Sequence, residues 1–199
     1  CLTVSGGHTM IVLVKDYFDM EIIGKTIDDA AGEAFDKIGK IFNLDYPAGP
    51  IIDKLAKNGD PNAFTFSKPR LEKYDYSFSG VKTSVLYFIQ KEIKKNPEFI
   101  KENIENLAAS VQKTIVEILM NKLEKVAKDY NISHIAIAGG VSANSGLREA
   151  MKKNEEKLGW NIYIPKFEYT TDNAAMIAMV ANLKYDRGEF ADLSVSATA

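Results

Sequence analysis

IAIAGGVSANSGL, residues 135–147, is the stretch that decides the fold. Its first residues alternate β-branched and small side chains, which predicts a buried strand that ends at Gly139-Gly140. Ser142 and Asn144 stand where a helix would begin after the glycines. A junction of strand, glycines and helix leaves backbone N–H groups free to point at one place, so it predicts binding of a phosphate or another anion.

A second pair of glycines lies near the start of the chain, in the turn SGGHT at residues 5–9. It predicts the turn of a hairpin in which Gly6 and Gly7 can adopt positive φ. Taken alone, either pair of glycines is more often an ordinary tight turn than a binding loop. The two pairs together favour binding loops, because the order of the predicted strands and helices places both of them where the fold holds phosphates.

The composition limits the class of protein. The chain has 199 residues, of which 46% are hydrophobic, and this is enough for one good core. A net charge of −2 argues against a free-standing nucleic-acid binder but leaves room for a local basic patch. Cys1 is the single cysteine, which excludes an internal disulfide and fits a reducing cytoplasm. No apolar run is long enough to span a membrane, so we expect a cytoplasmic protein without a membrane partner.

The first third of the chain predicts a three-stranded antiparallel meander at residues 2–5, 10–15 and 20–24. There is no initiator methionine, and the chain opens within a predicted strand. We therefore expect an excised fragment whose upstream sequence is missing. Thr26, with Asp29 three residues later, predicts the capping box of a helix that follows the meander.

The remaining chain completes the order βββα-insertion-βαβα. The last third alternates strand and helix, which predicts parallel strands with right-handed crossovers. The fold class is therefore α/β, and the order matches the ribonuclease-H-like unit of actin-like ATPases. We expect one such domain over residues 1–199, with a mostly helical insertion at about 45–131. Those proteins pair two such units around a nucleotide, which binds in the cleft between them. We therefore expect that this chain is one of the two halves. Both glycine turns take positions that hold phosphates, and both lie on the same side of the cleft.

Charged residues near the first helix allow two interpretations. Asp29, Glu33 and Asp36 share one helix face by their spacing. Lys37 and Lys40 lie four residues after Glu33 and Asp36, which allows a favourable ion pair in each case. Spacing alone favours a solvated, salt-bridged face over a binding site.

Few residues could ligate a metal ion. Asp172 could cap the helix that is predicted to begin there, or it could bind a metal. A metal site needs partners, and the two histidines, His8 and His134, show no ligand spacing. We expect His134 to be structural, whereas His8 beside the first glycine pair is the better functional candidate.

An aromatic and basic cluster precedes the second half of the insertion. It could stack on and neutralise RNA, although such a cluster is more often a half-buried loop, and both interpretations stay open. Its members are Tyr74, Tyr76, Phe78, Lys68, Arg70, Lys73 and Lys82.

Six motifs occur in order along the chain: SGGHT (5–9), IDDAAGEAFDK (27–37), LDYPAGP (44–50), FSGVKT (78–83), AGGVSAN (138–144) and TDNAAMIA (171–178). This set resembles the universal tRNA threonylcarbamoyladenosine transferase family, TsaD in bacteria, also called the glycoprotease family. The likeness covers nearly the whole chain.

The resemblance implies transfer of a threonylcarbamoyl group from threonylcarbamoyl-AMP to the adenosine beside the anticodon. The expected substrates are tRNAs that read codons beginning with A. By position, Asp172 matches the family's carboxylate metal ligand. The positions that match substrate-binding residues are Thr3, Val4, Ser5, Gly6, Gly7, Asp36, Gly49, Asp53 and Asn144. No general base is implied.

The resemblance also implies a cofactor and partners. One divalent metal, iron rather than zinc, would act as a Lewis acid on the phosphate and carbamoyl region. The expected partners are threonylcarbamoyl-AMP or an adenine nucleotide, tRNA, and the non-catalytic paralogue and ATPase proteins of the bacterial complex. The family's two histidine ligands form an HxxxH motif that this sequence lacks. We therefore expect this chain alone to be close to inactive and to retain no metal.

Three rival functions belong to other classes. One is an ATP-dependent kinase of the same superfold, and another is a non-catalytic scaffold like the family's degenerate paralogue. The third is a metalloendopeptidase, for which no HExxH motif is present.

Overall fold

The computed structural model describes residues 1–69 and 71–196. Within them the chain forms strands β1 (Leu2–Val4), β2 (Thr9–Asp16), β3 (Asp19–Lys25), β4 (His134–Ala138) and β5 (Asn161–Tyr163). The helices are α1 (Ala31–Ile41), α2 (Ala48–Ala56), α3 (Ser79–Ile93), α4 (Phe99–Asp129), α5 (Ser145–Leu158) and α6 (Ala174–Asp186). Short 3₁₀ turns at Gly140–Ala143 and Phe167–Tyr169 precede α5 and α6.

The strands form one sheet in the order β3-β2-β1-β4-β5. Strands β1, β2 and β3 are antiparallel neighbours, whereas β4 runs parallel to both β1 and β5. This order confirms the predicted ribonuclease-H-like, actin-like unit. Helices α2, α3 and α4 lie between the meander and β4, in the stretch predicted to be mostly helical.

The core lies on one face of the sheet. Alternation along the strands turns Leu2, Val4 and Ile11 to this face, where they are at most 1% exposed. Helices α1 and α4 cover them with apolar stripes that include Phe35 and Ile115. Burying each such side chain stabilises the fold by roughly 1.5–3 kcal/mol.

The start of α1 differs from the prediction. The helix begins at Ala31, and Thr26 donates its hydroxyl to the carbonyl of Asp29 at 2.8 Å instead of forming a capping box. The N–H of Ala31 donates to Thr9 Oγ1 on β2 at 2.8 Å, and the N–H of Gly32 donates to the carbonyl of Ser5 at 3.1 Å. Groups from the sheet therefore satisfy the first turn of the helix, and the local capping rule does not describe this helix.

Most of the aromatic cluster belongs to the core. Tyr76 and Phe78 are 1% and 0% exposed and stack on each other, so they are not available to stack on RNA. The Tyr76 hydroxyl donates to the carbonyl of Leu119 at 3.2 Å. Lys68 pairs with Glu117. Tyr76 and Phe78 therefore belong to the core, Lys82 lies on α3, and Arg70 lies outside the described residues.

The last helix, α6, leaves its apolar side chains uncovered. None of its residues is buried, and Ile177 and Met179 are 74% and 62% exposed. At its end, Arg187 bonds to Asp16 at 3.0 Å and lies over the ring of Phe18 on the β2–β3 hairpin. No helix in the described part of the chain is long and apolar enough to cross a membrane.

Candidate functional site

The two glycine turns lie side by side at one edge of the sheet. Strand β1 leads into the turn at 5–8, and β4 leads into Gly139-Gly140. The two strands are parallel neighbours, with Thr3 opposite Ala138. Both turns therefore lie at the carboxyl ends of parallel strands, which is where ligands bind in open α/β sheets.

Gly139 is the position at which only glycine fits. Its φ is +89°, and a Cβ built there would lie 2.3 Å from the carbonyl oxygen of Val4. The missing side chain thus lets the β4 turn approach the end of β1 closely. Because the backbone itself fills this gap, the glycine is required by the fold of the loop whether or not a ligand binds.

The first glycine pair has a different geometry from the predicted one. Neither Gly6 nor Gly7 is in the left-handed region. The Ser5 hydroxyl closes the turn by accepting hydrogen bonds from the N–H groups of Gly7 at 3.3 Å and His8 at 2.9 Å. The turn therefore does not use the freedom of these two glycines to adopt positive φ.

Other residues of the first loop also differ in what they offer a ligand. Val4 is 0% exposed and its side chain lies in the core, so only its backbone faces the site. Thr3 is half-buried on the opposite face of the strand. If this loop touches a substrate, the contacts come from the backbone and from Thr3 or Ser5.

The second loop keeps fewer free N–H groups than the sequence predicts. The N–H groups of Ser142 and Asn144 donate to carbonyls within the 3₁₀ turn. Those of Ser145 and Leu147 donate to side chains, Asp53 Oδ1 at 2.9 Å and Asn144 Oδ1 at 3.0 Å. Four backbone N–H groups thus donate to acceptors within the protein. The prediction that this loop leaves its N–H groups free for an anion is therefore wrong for these four.

Asp36 contacts the start of α2. Its Oδ1 accepts a hydrogen bond from the N–H of Ala48 at 2.8 Å, next to Gly49, which is half-buried. The carboxylate thereby satisfies a donor at a helix N-terminus, where negative charge is favoured. The ion pair predicted between Asp36 and Lys40 is not formed among the described contacts.

The other acids near α1 form the solvated face that spacing predicts. Lys37 bonds to Asp29 at 2.6 Å and to Glu33 at 2.8 Å. These two hydrogen bonds raise the pKa of the Lys37 ammonium, and the bond to Lys37 lowers the pKa of Glu33. Their mutual pairing accounts for their placement without a ligand.

Asp53 on α2 contacts the start of α5. Its Oδ1 accepts from the N–H and from the hydroxyl of Ser145, at 2.9 and 2.7 Å. The neighbouring residue, Asn144, caps α5 through Leu147 and is 8% exposed. Asp36, Asp53 and Asn144 therefore each hold the beginning of a helix that borders the two glycine turns.

Among the described residues, Asp172 has no neighbours that would complete a metal site with it. Its side chain is exposed, and Asn173 caps α6 in its place, with Oδ1 accepting from the N–H of Met176 at 3.3 Å. His134 bonds through Nδ1 to the hydroxyl of Tyr163 at 2.9 Å, in agreement with a structural role. Within the described residues, no group of three His, Cys, Asp or Glu side chains could hold a metal ion.

Arg148 is a site residue that sequence reasoning did not find. Its Nε donates to the carbonyl of Ser142 at 2.7 Å, and its Nη2 donates to that of Pro165 at 2.8 Å. Its guanidinium lies 4.0 Å from the ring centre of Phe167. Arg148 thus joins the second glycine loop to the segment that leads to Asp172. An arginine in the first turn of a helix carries no local signal for such a role.

Hydrogen bonds connect the elements around the two glycine turns in a ring. The β1 turn contacts the start of α1, Asp36 joins α1 to α2, and Asp53 joins α2 to α5 beside β4. The predicted substrate-binding residues lie on or next to this ring, whereas Asp172, the predicted metal ligand, does not. The ring offers carboxylate oxygens, which suit the hydroxyl groups of a nucleotide.

The family model described as TsaD, tRNA N6-adenosine threonylcarbamoyltransferase, matches residues 1–179. The chain belongs to the TsaD family. A relative of this name from Riemerella anatipestifer is 82% identical over 199 residues, covering 100% of this chain and 58% of that protein. The TsaD relative from Christiangramia forsetii is 58% identical over 196 residues, covering 98% of the chain and 58% of its own length. The chain thus spans about 58% of the length of these curated relatives.

Two solved structures share the fold. HypF from T. kodakarensis superimposes with a TM-score of 0.58 at 17% identity, covering 86% of this chain and 21% of that one. Full-length HypF in its phosphate- and nucleotide-bound form gives 0.56 at 13% identity, covering 87% of this chain and 26% of that one. At such low identity the likeness concerns the fold of this TsaD chain alone.

Proposed function

We propose that the full-length protein containing this chain is a tRNA threonylcarbamoyltransferase. It takes the threonylcarbamoyl group from threonylcarbamoyl-AMP and transfers it to the exocyclic amine of the adenosine beside the anticodon, in tRNAs that read codons beginning with A. The observation that carries this proposal is the TsaD match over residues 1–179, together with 82% identity to a relative named for this activity.

The site geometry supports the nucleotide part of the proposal. Two glycine turns lie at the carboxyl ends of parallel strands, which is where ligands bind in open α/β sheets. One of the fold neighbours has been solved with phosphate and nucleotide bound.

The reaction has a simple atom balance. The amine nitrogen of adenosine bonds to the carbamoyl carbon, the bond from that carbon to the phosphate oxygen breaks, and AMP leaves with the electron pair. The amine loses one proton. This chain contributes by holding the adenylate, since the ordered helix starts at Ala48 and Ser145 fix the groups around it.

For the full-length protein we propose one divalent metal, iron rather than zinc, as the family resemblance implies. The described residues of this chain do not fit a metal site, because Asp172 is exposed and has no second or third ligand. We derive no step through the metal. The chain alone would accordingly retain no metal and be close to inactive. Titration with Fe(II) and Zn(II) checks this, and stoichiometric submicromolar binding lost in Asp172→Ala would contradict it.

The proposed partners follow from the same reaction. They are tRNA, threonylcarbamoyl-AMP or an adenine nucleotide, and the non-catalytic paralogue and ATPase proteins of the bacterial complex, all in the cytoplasm. The decisive experiment depletes the full-length gene product and measures threonylcarbamoyladenosine in total tRNA by mass spectrometry. We expect the modified nucleoside to fall with the protein and to return when wild type is restored. An unchanged level would refute the assignment.

The same assay separates the rival functions. A kinase would turn over ATP with a small acceptor and leave the tRNA nucleoside unchanged. A scaffold would restore the nucleoside equally well when Asn144 and Asp53 are replaced by alanine, whereas we expect those variants to restore much less. A metallopeptidase would likewise leave the tRNA nucleoside unchanged.

A further inference from the structure

Gln112 on α4 is a buried polar residue to which the proposed reaction assigns no role. It is 8% exposed, and Val111 and Ile115 on the same helix are 0% exposed. Burying an amide is costly unless it forms hydrogen bonds. Its Oε1 accepts a hydrogen bond of 2.7 Å from Nδ2 of Asn144, 32 residues further along the chain.

This bond fixes the orientation of the Asn144 amide. The oxygen of that amide accepts from the N–H of Leu147 at 3.0 Å, so its nitrogen must face Gln112. A flip of the amide would place two donors against each other at Leu147 and two acceptors against each other at Gln112. The partners at both ends therefore select one orientation, and the second Nδ2 hydrogen is left to donate elsewhere.

Gly146 makes room for Gln112. A Cβ at position 146 would lie 2.8 Å from Nε2 of Gln112 and 3.2 Å from its Cδ. The glycine in the first turn of α5 and the glutamine in the middle of α4 therefore fit each other. Asp53 fixes Ser145 in the same way from α2, so two helices of the insertion hold consecutive residues of the loop.

We propose that Gln112 is a positioning residue for the substrate: it holds the Asn144 amide in the orientation that the bond to Leu147 selects. The α4 helix would thus act on recognition through Asn144 without touching the ligand. This inference rests on the proposed function, in which Asn144 contacts the nucleotide.

The test compares four single variants and one double variant in the full-length protein that contains these residues. Gln112→Met keeps the size of the side chain and removes the acceptor. We expect it to raise KM for threonylcarbamoyl-AMP about tenfold, equivalent to about 1.4 kcal/mol, with kcat nearly unchanged. Loss of folded protein would instead lower kcat and leave KM alone. Gly146→Ala, which displaces the Gln112 amide, should raise KM in the same direction.

Thr114→Val is the matched control. Thr114 is 4% exposed on the same helix, and its hydroxyl donates to the carbonyl of Ser110 at 2.8 Å, away from the loop. It should lower the thermal midpoint as Gln112→Met does, with KM unchanged. In addition, Gln112→Met should have no further effect on KM once Asn144→Ala is present, because the glutamine acts through that residue.

Each result has a definite meaning. If Asn144→Ala raises KM and Gln112→Met does not, or if the two effects simply add, the positioning role is overturned while the proposed function stands. If Asn144→Ala leaves KM unchanged, the nucleotide contact at Asn144 fails and this inference fails with it. If the wild-type protein modifies no tRNA, the proposed function itself is wrong.

Discussion

Asp28 joins the start of α3 to the segment before α1. Its carboxylate accepts hydrogen bonds from Ser77 Oγ at 2.5 Å, the N–H of Phe78 at 2.8 Å and Ser79 Oγ at 2.7 Å. Partial burial alone would raise the pKa of this carboxyl, but the hydrogen bonds outweigh burial and hold the pKa below its usual range. The charged form is therefore the one that stabilises this junction.

Asp28→Ala should lower the free energy of unfolding by about 1–2 kcal/mol at neutral pH. Since the folded pKa is lowered, the contribution is present above the unfolded pKa of about 4 and is lost as the pH falls through the folded value. Urea unfolding at pH 7 and at pH 3 checks this, and the difference from wild type should shrink at pH 3. Asp45→Ala is the control, because Asp45 is exposed. An equal effect of both variants would contradict the role of Asp28.

Tyr76 gives the opposite pH dependence. Burial raises the pKa of its hydroxyl, so the stability it contributes is present below the unfolded pKa of about 10 and is lost at higher pH. Tyr76→Phe loses the bond to Leu119, which should cost about 1 kcal/mol at pH 7. At pH 11 the free energy of unfolding of Tyr76→Phe should equal or exceed that of the wild type. Tyr17→Phe, at a side chain that is 65% exposed, should show no such crossover.

At the level of elements, the sequence predicted strands better than helix starts. Strand β4 ends at Ala138, immediately before the glycine pair as predicted, because the pattern of buried and small residues is local. Helix α1 begins later than predicted because Thr9 and Ser5 provide its first contacts from the sheet. Such caps join residues about 20 positions apart, and no local pattern shows them.

The β4 turn allows a sharp comparison of two adjacent glycines. Gly139→Ala would force a positive φ on alanine and place its Cβ 2.3 Å from the carbonyl of Val4. We expect the free energy of unfolding to fall by at least about 3 kcal/mol, or the variant to yield no folded protein. Gly140→Ala meets nothing within 4 Å and should change stability by less than about 0.5 kcal/mol. Thermal unfolding of both variants checks this, and equal tolerance would show that the close approach is not maintained.

The sequence could name candidate site residues, but it could not name their partners. The motifs single out Asp36, Asp53 and Asn144, whereas their contacts with Ala48, Ser145 and Gln112 depend on how the insertion packs. The metal prediction at Asp172 stays untested, because its implied partners lie outside this sequence.

For the whole molecule, the main feature is the uncovered apolar surface of α6 and the sheet face near it. Ile177 is 74% exposed, Phe190 is also 74% exposed, and Met20 and Ile22 on β3 are 57% and 56% exposed. Exposed apolar patches of this kind favour association. The curated relatives are longer than this chain, so in them further chain is available to cover such a surface.

The isolated 199-residue chain should therefore self-associate at micromolar concentration. Ile177→Glu should shift it towards monomer without lowering its thermal midpoint, because this side chain is not buried. Sedimentation velocity at several concentrations measures the association. Lys101→Glu, on an exposed residue of α4, is the control and should leave the association unchanged. A wild-type chain that stays monomeric at high concentration would contradict the prediction.

The hydrogen bonds from α2 and α4 to the second loop have a consequence for how this chain can change in length. The connection at residues 94–98 between α3 and α4 is mostly exposed, so a tag or extra residues placed there should leave the two helices where they are. Deleting α2 or α4 to obtain a minimal domain would leave Ser145 and Asn144 without their partners. Deletion of α4 would also uncover the core face of the sheet, which its apolar residues such as Ile115 cover. The insertion is therefore a required part of any smaller version.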